Sequence, residues 1–331
     1  MIWNTAFSRI KKEDNMEHFI YSIHVTVPIF FVMAVGWVCR RTGMLNDAFV
    51  AAANRFNFTV TLPAMLFLDM SSVDIYGTFD AGYVLFCAAA STACFFGVWG
   101  LAKLFLKEAS MRGAFVQASF RSSAAVMGLA FIENIYGSSA MGPMMILGAV
   151  PLYNIFSVLV LTFEGGAADG KAGVSRISKA AVNIAKNPII LAIAFGTLAA
   201  MLHIRLPVII DKTMGSIAKM ATPLALVAMG AGFEGKEALA KIKPTLAASF
   251  LKLVGQTAVF LPLAVWLGFR GEKLTAILIM LSAPATPSCY IMAKNMGNDG
   301  ELTASVVAAT TLLAAFTLTG WIFILKTLGL Q

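Results

Sequence analysis

Charged residues are scarce in this chain. Asp, Glu, Lys and Arg make up 13% of its 331 residues and hydrophobic residues 59%, whereas an average soluble domain is about 25% charged. A soluble globule of this size could not remove that much apolar surface from water. The composition therefore excludes an ordinary soluble domain.

Residues that build catalytic and metal sites are equally sparse. The three histidines lie far apart with no HExxH pattern, and the four cysteines form no CxxC pair. Nucleophile-elbow, paired-carboxylate and phosphate-loop patterns are also missing. We expect no enzyme activity, no cofactor and no metal site, and we interpret the cysteines as core thiols.

Long apolar runs are what the sequence does contain. A run of about 20 residues crosses a hydrocarbon core about 30 Å thick at a rise of about 1.5 Å per residue. The sequence predicts an all-α polytopic membrane protein with ten transmembrane helices. The predicted spans are 19–39, 46–69, 80–105, 110–135, 139–163, 187–204, 208–233, 245–268, 273–295 and 302–326.

The net charge of +8 is explained by membrane topology rather than by a nucleic-acid partner, because basic residues concentrate in alternate loops and such loops face the cytoplasm. The loops with fewer basic residues hold only Arg205, Lys212, Arg270 and Lys273. The richer loops hold Arg40, Arg41, Lys103, Lys107, Arg112, Lys171, Arg176, Lys179, Lys186, Lys236, Lys241, Lys243 and Lys294. This pattern places both termini outside a plasma (inner) membrane.

One feature opposes that orientation. Arg9, Lys11 and Lys12 precede the first span, in a segment that we assign to the exterior. A start at Met16 would remove the conflict.

A flexible, Gly-rich loop at 164–186 divides the chain. We predict an extracellular segment 1–18, a five-helix repeat 19–163, this cytoplasmic loop, and a second repeat 187–331. Because five is odd, two similar halves have opposite orientations, as in many secondary transporters.

Polar or proline-rich breaks interrupt the fourth helix of each half, at Ser122-Ser123 and at Pro284–Ser288. Hydrocarbon cannot satisfy the backbone groups that a break exposes, so we expect the two breaks to cross near the midplane. Helix N-termini there favour a carboxylate. Thr286 and Pro287 are predicted as N-cap and first residue of the restarted helix.

Arg121 lies deep in its predicted span, where an unpaired guanidinium is costly. It either binds the substrate carboxylate or meets helix carbonyls or a water-filled vestibule. Lys252, Lys294, Arg55 and Lys219 are nearer predicted span ends, and we expect them to reach the interface. Three uncharged polar residues could contact substrate or join helices: Asn57, Asn154 and Gln256. We assign a site role only to Asn154.

Short motifs in a fixed order resemble the auxin efflux carrier family over nearly the whole chain. They are Phe120-Arg121-Ser122-Ser123, Gly128-Leu129, Tyr136-Gly137, Pro151-Leu152-Tyr153-Asn154, Asn187-Pro188, Pro223-Leu224-Ala225-Leu226 with Gly230, Ala283-Pro284-Ala285, Met292-Ala293 and Thr310-Thr311.

The resemblance implies ten helices, crossing broken helices four and nine, and a carboxylate-bearing substrate; the family includes plant auxin carriers and bacterial carriers assigned to malate or malonate. Family members commonly have Asn at Ser123, Gly at Ala125 and Pro at Ala130, so a milder break is expected in helix four. The predicted substrate-binding residues are Arg121, Ser122, Ser123, Asn154, Pro284, Ala285, Thr286, Pro287 and Ser288.

The sequence favours an efflux carrier for a small organic anion, working as a potential-driven uniporter. Two alternatives stay open: a sodium- or proton-coupled carboxylate symporter, and a non-transporting membrane sensor of the same fold. The nearest carboxylates to the predicted centre, Asp69 and Glu133, are placed near outer span ends. Expected partners are the substrate and the lipid bilayer, with a homodimer compatible with the sequence.

Overall fold

Helices make up the regular structure of the computed structural model, which describes residues 27–72, 80–136, 141–165 and 182–330. No strand occurs within these ranges. The segments predicted as extracellular (1–18) and as the cytoplasmic loop (164–186) lie outside them, apart from residues 164–165 and 182–186.

We label the helices of the first half α1 to α5. Residues 27–41 form α1, and α2 joins Asp47–Phe56, a π-helical turn Asn57–Thr61 and Leu62–Ser71. Helix α3 is Ala81–Phe105 and α5 is Met141–Gly165. The interrupted helix between them has α4a, Ala109–Phe120, and then a π-helical turn Ala124–Gly128 leading into α4b, Leu129–Tyr136.

The second half contains α6 to α10. Helix α6 is Pro188–Met201, and α7 joins Val208–Lys219 to Ala221–Ala231. A short helix Gly235–Ala240 precedes α8, which joins Ile242–Phe250, a π-helical turn Leu251–Gly255 and Gln256–Trp266. Helix α9 is interrupted between α9a, Gly271–Ser282, and α9b, Ser288–Asn295, and α10 is Gly300–Thr327.

Five of these helical segments are long and apolar enough to cross a membrane. They are α3, α5, α7, α8 and α10. Large apolar side chains on them face outward, with Leu104, Ile209 and Trp266 each about four-fifths exposed. Such broad apolar exposure is unusual for a soluble monomer and is expected where lipid covers the surface.

Polar side chains set several helix starts. Asn46, Asp80, Asn187 and Asp299 each precede a helix and accept a hydrogen bond from a backbone N–H in its first turn, at 2.9–3.0 Å. Each cap satisfies one N–H that the helix itself leaves without a partner. The helices α2, α3, α6 and α10 therefore begin where the sequence supplies such a residue.

Asp80 at the start of α3 gives a test of this capping. It accepts from the Tyr83 N–H and from the Lys273 ammonium at 2.5 Å. We expect Asp80→Ala to lower the unfolding free energy by about 1 kcal/mol, and Asp80→Asn to preserve the cap. The Lys273 hydrogen bond lowers the pKa of Asp80. The stability that ionised Asp80 adds to the fold is therefore complete above the ordinary carboxyl pKa and is lost as the pH falls through the lowered value. Equal melting temperatures for wild type and Asp80→Ala would contradict this.

Two apolar clusters organise the packing. The larger one joins α3, α4, α5, α8, both parts of α9 and α10 with the second part of α2 and with α6. The smaller one joins α2 and α7 to α9b and α10, through small side chains such as Ala53, Ala225 and Ala304 and the larger Tyr290. The interruption of α9 lies where these clusters meet, since Ala283 belongs to the larger cluster and Ala285 to the smaller one.

Glycines permit the close approach of α1 to α7. A Cβ on Gly36 would collide with the Val227 backbone, and one on Gly230 would collide with the Met33 backbone. Small residues at such contacts let membrane helices pack backbone to backbone. The pair α1 and α7 is therefore held tightly beside the interrupted helices.

Candidate functional site

The first interruption consists of three residues between α4a and the turn that leads into α4b. Arg121 has extended backbone angles, φ −72° and ψ 132°. Helical hydrogen bonding ends as the Arg121 N–H donates to the Gln117 carbonyl and resumes with the Gly128 N–H on the Ser123 carbonyl. Serine side chains compete for backbone hydrogen bonds and so tolerate such a break.

The second interruption separates α9a from α9b. Ala283, before Pro284, is extended, with φ −64° and ψ 149°, because the proline ring disfavours helical angles in the preceding residue. The predicted cap was wrong in detail: Pro287 takes the N-cap position, and α9b begins at Ser288. The Thr286 hydroxyl instead contacts the Ser288 hydroxyl at 2.5 Å.

The structure brings the two interruptions into direct contact. The Ser123 N–H donates to the Pro284 carbonyl at 2.9 Å, and the Ser122 hydroxyl donates to the Ala283 carbonyl at 3.3 Å. Each break therefore satisfies part of the backbone that the other exposes, as expected for breaks at membrane depth.

Side chains from other helices satisfy further carbonyls at the two breaks. The Tyr153 hydroxyl donates to Met280 O at 3.2 Å, and the Gln256 amide donates to Ser119 O at 2.5 Å. The expectation that Lys252 reaches the interface was wrong. Its side chain is fully buried, and its ammonium donates to Leu281 O at 2.8 Å.

A cavity of about 100 Å³ lies at the junction of the interruptions. All the predicted site residues line it except Pro284, whose carbonyl is taken by Ser123. The remaining lining comes from α1, α2, α5, α7 and α10 and from Ala125 in the π-helical turn before α4b. Helices from both apolar clusters therefore surround the space between the two breaks.

Arg121 is the basic residue among the described residues that line this cavity. Only 4% of the residue is exposed, and its guanidinium donates to the Met292 thioether at 2.9 Å, which is a weak acceptor. No carboxylate of the described residues forms an ion pair with it. A buried guanidinium without a matched acceptor is prepared to receive an anion.

Two asparagines near the cavity have different roles. The Asn57 amide donates to Ala221 O at 2.8 Å, and its side-chain oxygen accepts from Thr61 at 2.6 Å, so it joins helices. Asn154 donates to Val150 O at 2.9 Å, but its buried side-chain oxygen has no partner among the described residues. Asn154 therefore keeps a hydrogen-bond acceptor, its side-chain oxygen, at the cavity.

Sequence reasoning missed several polar residues on the cavity: Tyr153, Thr222, Thr311 and Asp69. Tyr153 and Thr311 belong to recognised motifs, and Thr222 precedes a membrane-helix proline, so a signal existed for these three. Asp69 was placed near an outer span end, which left it out of the predicted site. The side chain of Glu133 lies outside the described part of the chain.

Lys294 lies at a different cavity, of about 760 Å³. It is exposed there and shares the lining with charged side chains of both signs, Arg40, Arg41, Asp47, Glu234 and Glu301. This exposed position agrees with the expectation for Lys294, and Arg55 and Lys219 are exposed as well.

The central arrangement can hold a small anion by three kinds of donor. These are the Arg121 guanidinium, the serine and threonine hydroxyls, and the N–H groups at the starts of the π-helical turn Ala124–Gly128 and of α9b, where the helix dipole is positive. The described ranges contain no group of three or more His, Cys, Asp or Glu that could hold a metal ion.

Helices that match a membrane in length and polarity, with a cavity between interrupted segments that several polar side chains line, define an α-helical membrane protein. A family model described as membrane transport protein matches residues 21–322. The chain belongs to this family, the auxin efflux carrier family that its motifs resemble.

Curated relatives cover nearly the whole chain. The uncharacterized transporter YfdV of Escherichia coli (strain K12) is 23% identical over 305 residues, which are 90% of this chain and 96% of the relative. A putative malonate transporter of Rhizobium meliloti (strain 1021) is 24% identical over 312 residues, 91% and 95% of the two chains. An uncharacterized transporter of Methanothermobacter thermautotrophicus is 21% identical, covering 93% and 99%.

Proposed function

We propose that this membrane transporter carries a small carboxylate, which binds in the central cavity at the contact between the breaks of α4 and α9. The observation that carries the proposal is Arg121, a buried cation on the cavity whose acceptor is a thioether. In a site of low dielectric, a carboxylate is a far better acceptor for a guanidinium than sulfur. The relative described as a putative malonate transporter supports this substrate class.

The proposal includes an architecture. Residues 19–163 and 187–331 form two inverted five-helix repeats, giving ten spans in a plasma membrane with both termini outside. Each half contains one interrupted helix in its fourth position, α4 and α9, which supports the repeat. Rocking of one group of helices against the other around the contacting breaks would give access from alternate sides.

The direction of movement follows from charge. A lone anion is driven outward by an inside-negative potential, so export by uniport needs no coupled ion. We therefore propose a potential-driven efflux carrier.

A ligand panel tests the substrate class. Purified protein is melted with mono- and dicarboxylates, including malonate, and with uncharged amides of the same acids as controls. We expect a carboxylate at about 100 times its Kd to stabilise the protein by about 2.7 kcal/mol, because it binds only the folded state. A panel in which carboxylates and their amides give equal shifts would contradict a carboxylate site.

Counterflow distinguishes a carrier from a membrane sensor of the same fold. Proteoliposomes loaded with unlabelled malonate should accumulate labelled malonate transiently if the protein exchanges substrate. Saturable binding without exchange would reject the carrier and favour a sensor.

A further inference from the structure

Lys252 is a second buried cation that the anion site does not use. It is fully buried in the π-helical turn Leu251–Gly255 of α8 and does not line the central cavity. No carboxylate of the described residues pairs with it. Burial of an ammonium is costly unless its partners compensate, so the position of its hydrogen bond is informative.

The ammonium lies at the carbonyl end of an interrupted helix. Its acceptor, Leu281 O at 2.8 Å, belongs to the last turn of α9a, where carbonyls have no helical partner and carry partial negative charge. In transporters with interrupted helices, such half-helix ends coordinate sodium or a proton. Here a side-chain cation lies at such an end.

Neighbouring carbonyls at the same end are also taken by protein donors. Ile279 O accepts from the Ala283 N–H at 2.8 Å, Met280 O from Tyr153, and Ala283 O from Ser122. A hard cation binds through several oxygens at once. With these oxygens engaged, the end of α9a is closed by the protein itself.

Lys252 belongs to a π-helical turn of α8. A π-helical turn adds one residue to a helical turn and often marks a functional position. Lys252 and Gln256 lie four residues apart on α8, and they reach carbonyls of α9a and α4a respectively. One helix therefore supplies a donor to the carbonyl end of each interrupted helix.

We propose that Lys252 is a tethered cation that replaces a coupling sodium ion at the carbonyl end of α9a. The proposal rests on the proposed carrier function and deepens it. Lys252 is a positioning residue: it holds α9a in place, and its charge favours an anion at the adjacent site without contacting it. Anion binding and transport are therefore independent of sodium.

The ligand-free test compares melting temperatures of the purified full chain in sodium chloride and in choline chloride of equal ionic strength. Wild type should differ by less than about 1 °C between the two salts, because Lys252 already occupies the position. Lys252→Ala removes the donor to the Leu281 carbonyl and empties the space of the side chain. The neighbouring carbonyls each keep a second lone pair, so a sodium ion should bind there and raise the melting temperature of this variant by about 3 °C. The exposed-lysine control Lys294→Ala should behave as wild type.

Two results overturn the proposal: specific stabilisation of wild type by sodium, or a folded Lys252→Ala that no alkali cation stabilises. If Lys252→Ala does not fold, Lys252→Gln keeps a donor but loses the charge, and it should lower malonate transport about tenfold or more. Unchanged transport by folded Lys252→Gln also overturns the proposal. A wild type that carries no carboxylate would instead reject the proposed function, leaving the salt comparison valid.

Discussion

Replacing Arg121 with alanine is expected to weaken malonate binding about 30-fold or more, because truncating one side of a buried, hydrogen-bonded charge pair costs about 2 kcal/mol or more. The guanidinium is buried on the central cavity and donates to Met292. Its interaction with a carboxylate is therefore little screened by water. Isothermal titration of the purified variants measures the effect.

Lys294→Ala is the matched control, because Lys294 is exposed at the other cavity. An exposed charge is screened, so we expect a loss of about threefold at most. Arg121→Lys keeps the charge but not the planar guanidinium, so its loss of malonate affinity should lie between those of Arg121→Ala and Lys294→Ala. Equal losses for Arg121→Ala and Lys294→Ala in folded protein would exclude Arg121 from the site.

Transport should respond strongly to membrane potential. A carboxylic acid with a pKa near 4 is almost wholly ionised at pH 7. Moving one charge through about 100 mV changes the free energy by about 2.3 kcal/mol, which corresponds to a concentration gradient of about 50-fold at equilibrium. Proteoliposomes clamped with valinomycin, in the absence of sodium, allow the potential and the pH gradient to be set separately.

The opposite result would point to a specific residue. Asp69 lines the central cavity, where the sequence had placed no carboxylate. Flux that ignores the potential but runs uphill with a pH gradient would reject uniport and make Asp69 the candidate proton carrier. Under uniport, Asp69→Asn should keep the response to potential; under proton coupling, it should lose uphill transport.

Local sequence signals predicted the helices well. Apolar length placed the spans, and the caps Asn46, Asp80, Asn187 and Asp299 lie close to the predicted boundaries, because a polar side chain beside an apolar run is where a helix can begin. The two interruptions were also predicted from the sequence, because consecutive serines and two nearby prolines each interrupt an apolar run.

Long-range placement was where sequence reasoning failed. Lys252 lies near the start of its predicted span but is fully buried, because depth within a bundle depends on which helices cover a position and not on distance from the span end. The sequence singled out Asn154 over Asn57 by its motif, but only the structure shows that, of the two, Asn154 keeps a side-chain oxygen without a partner among the described residues.

The sequence by itself determined the membrane class, the helical segments and the two interruptions, since apolar length and broken hydrogen bonding are local properties of the chain. The crossing of the two breaks was expected from the sequence, but only the tertiary structure decided which atoms pair there. The contact of Ser123 with Pro284, the Lys252 ammonium on Leu281, and the thioether as acceptor for Arg121 all join residues far apart in sequence. Their pairing is set by helix packing, which no local pattern specifies.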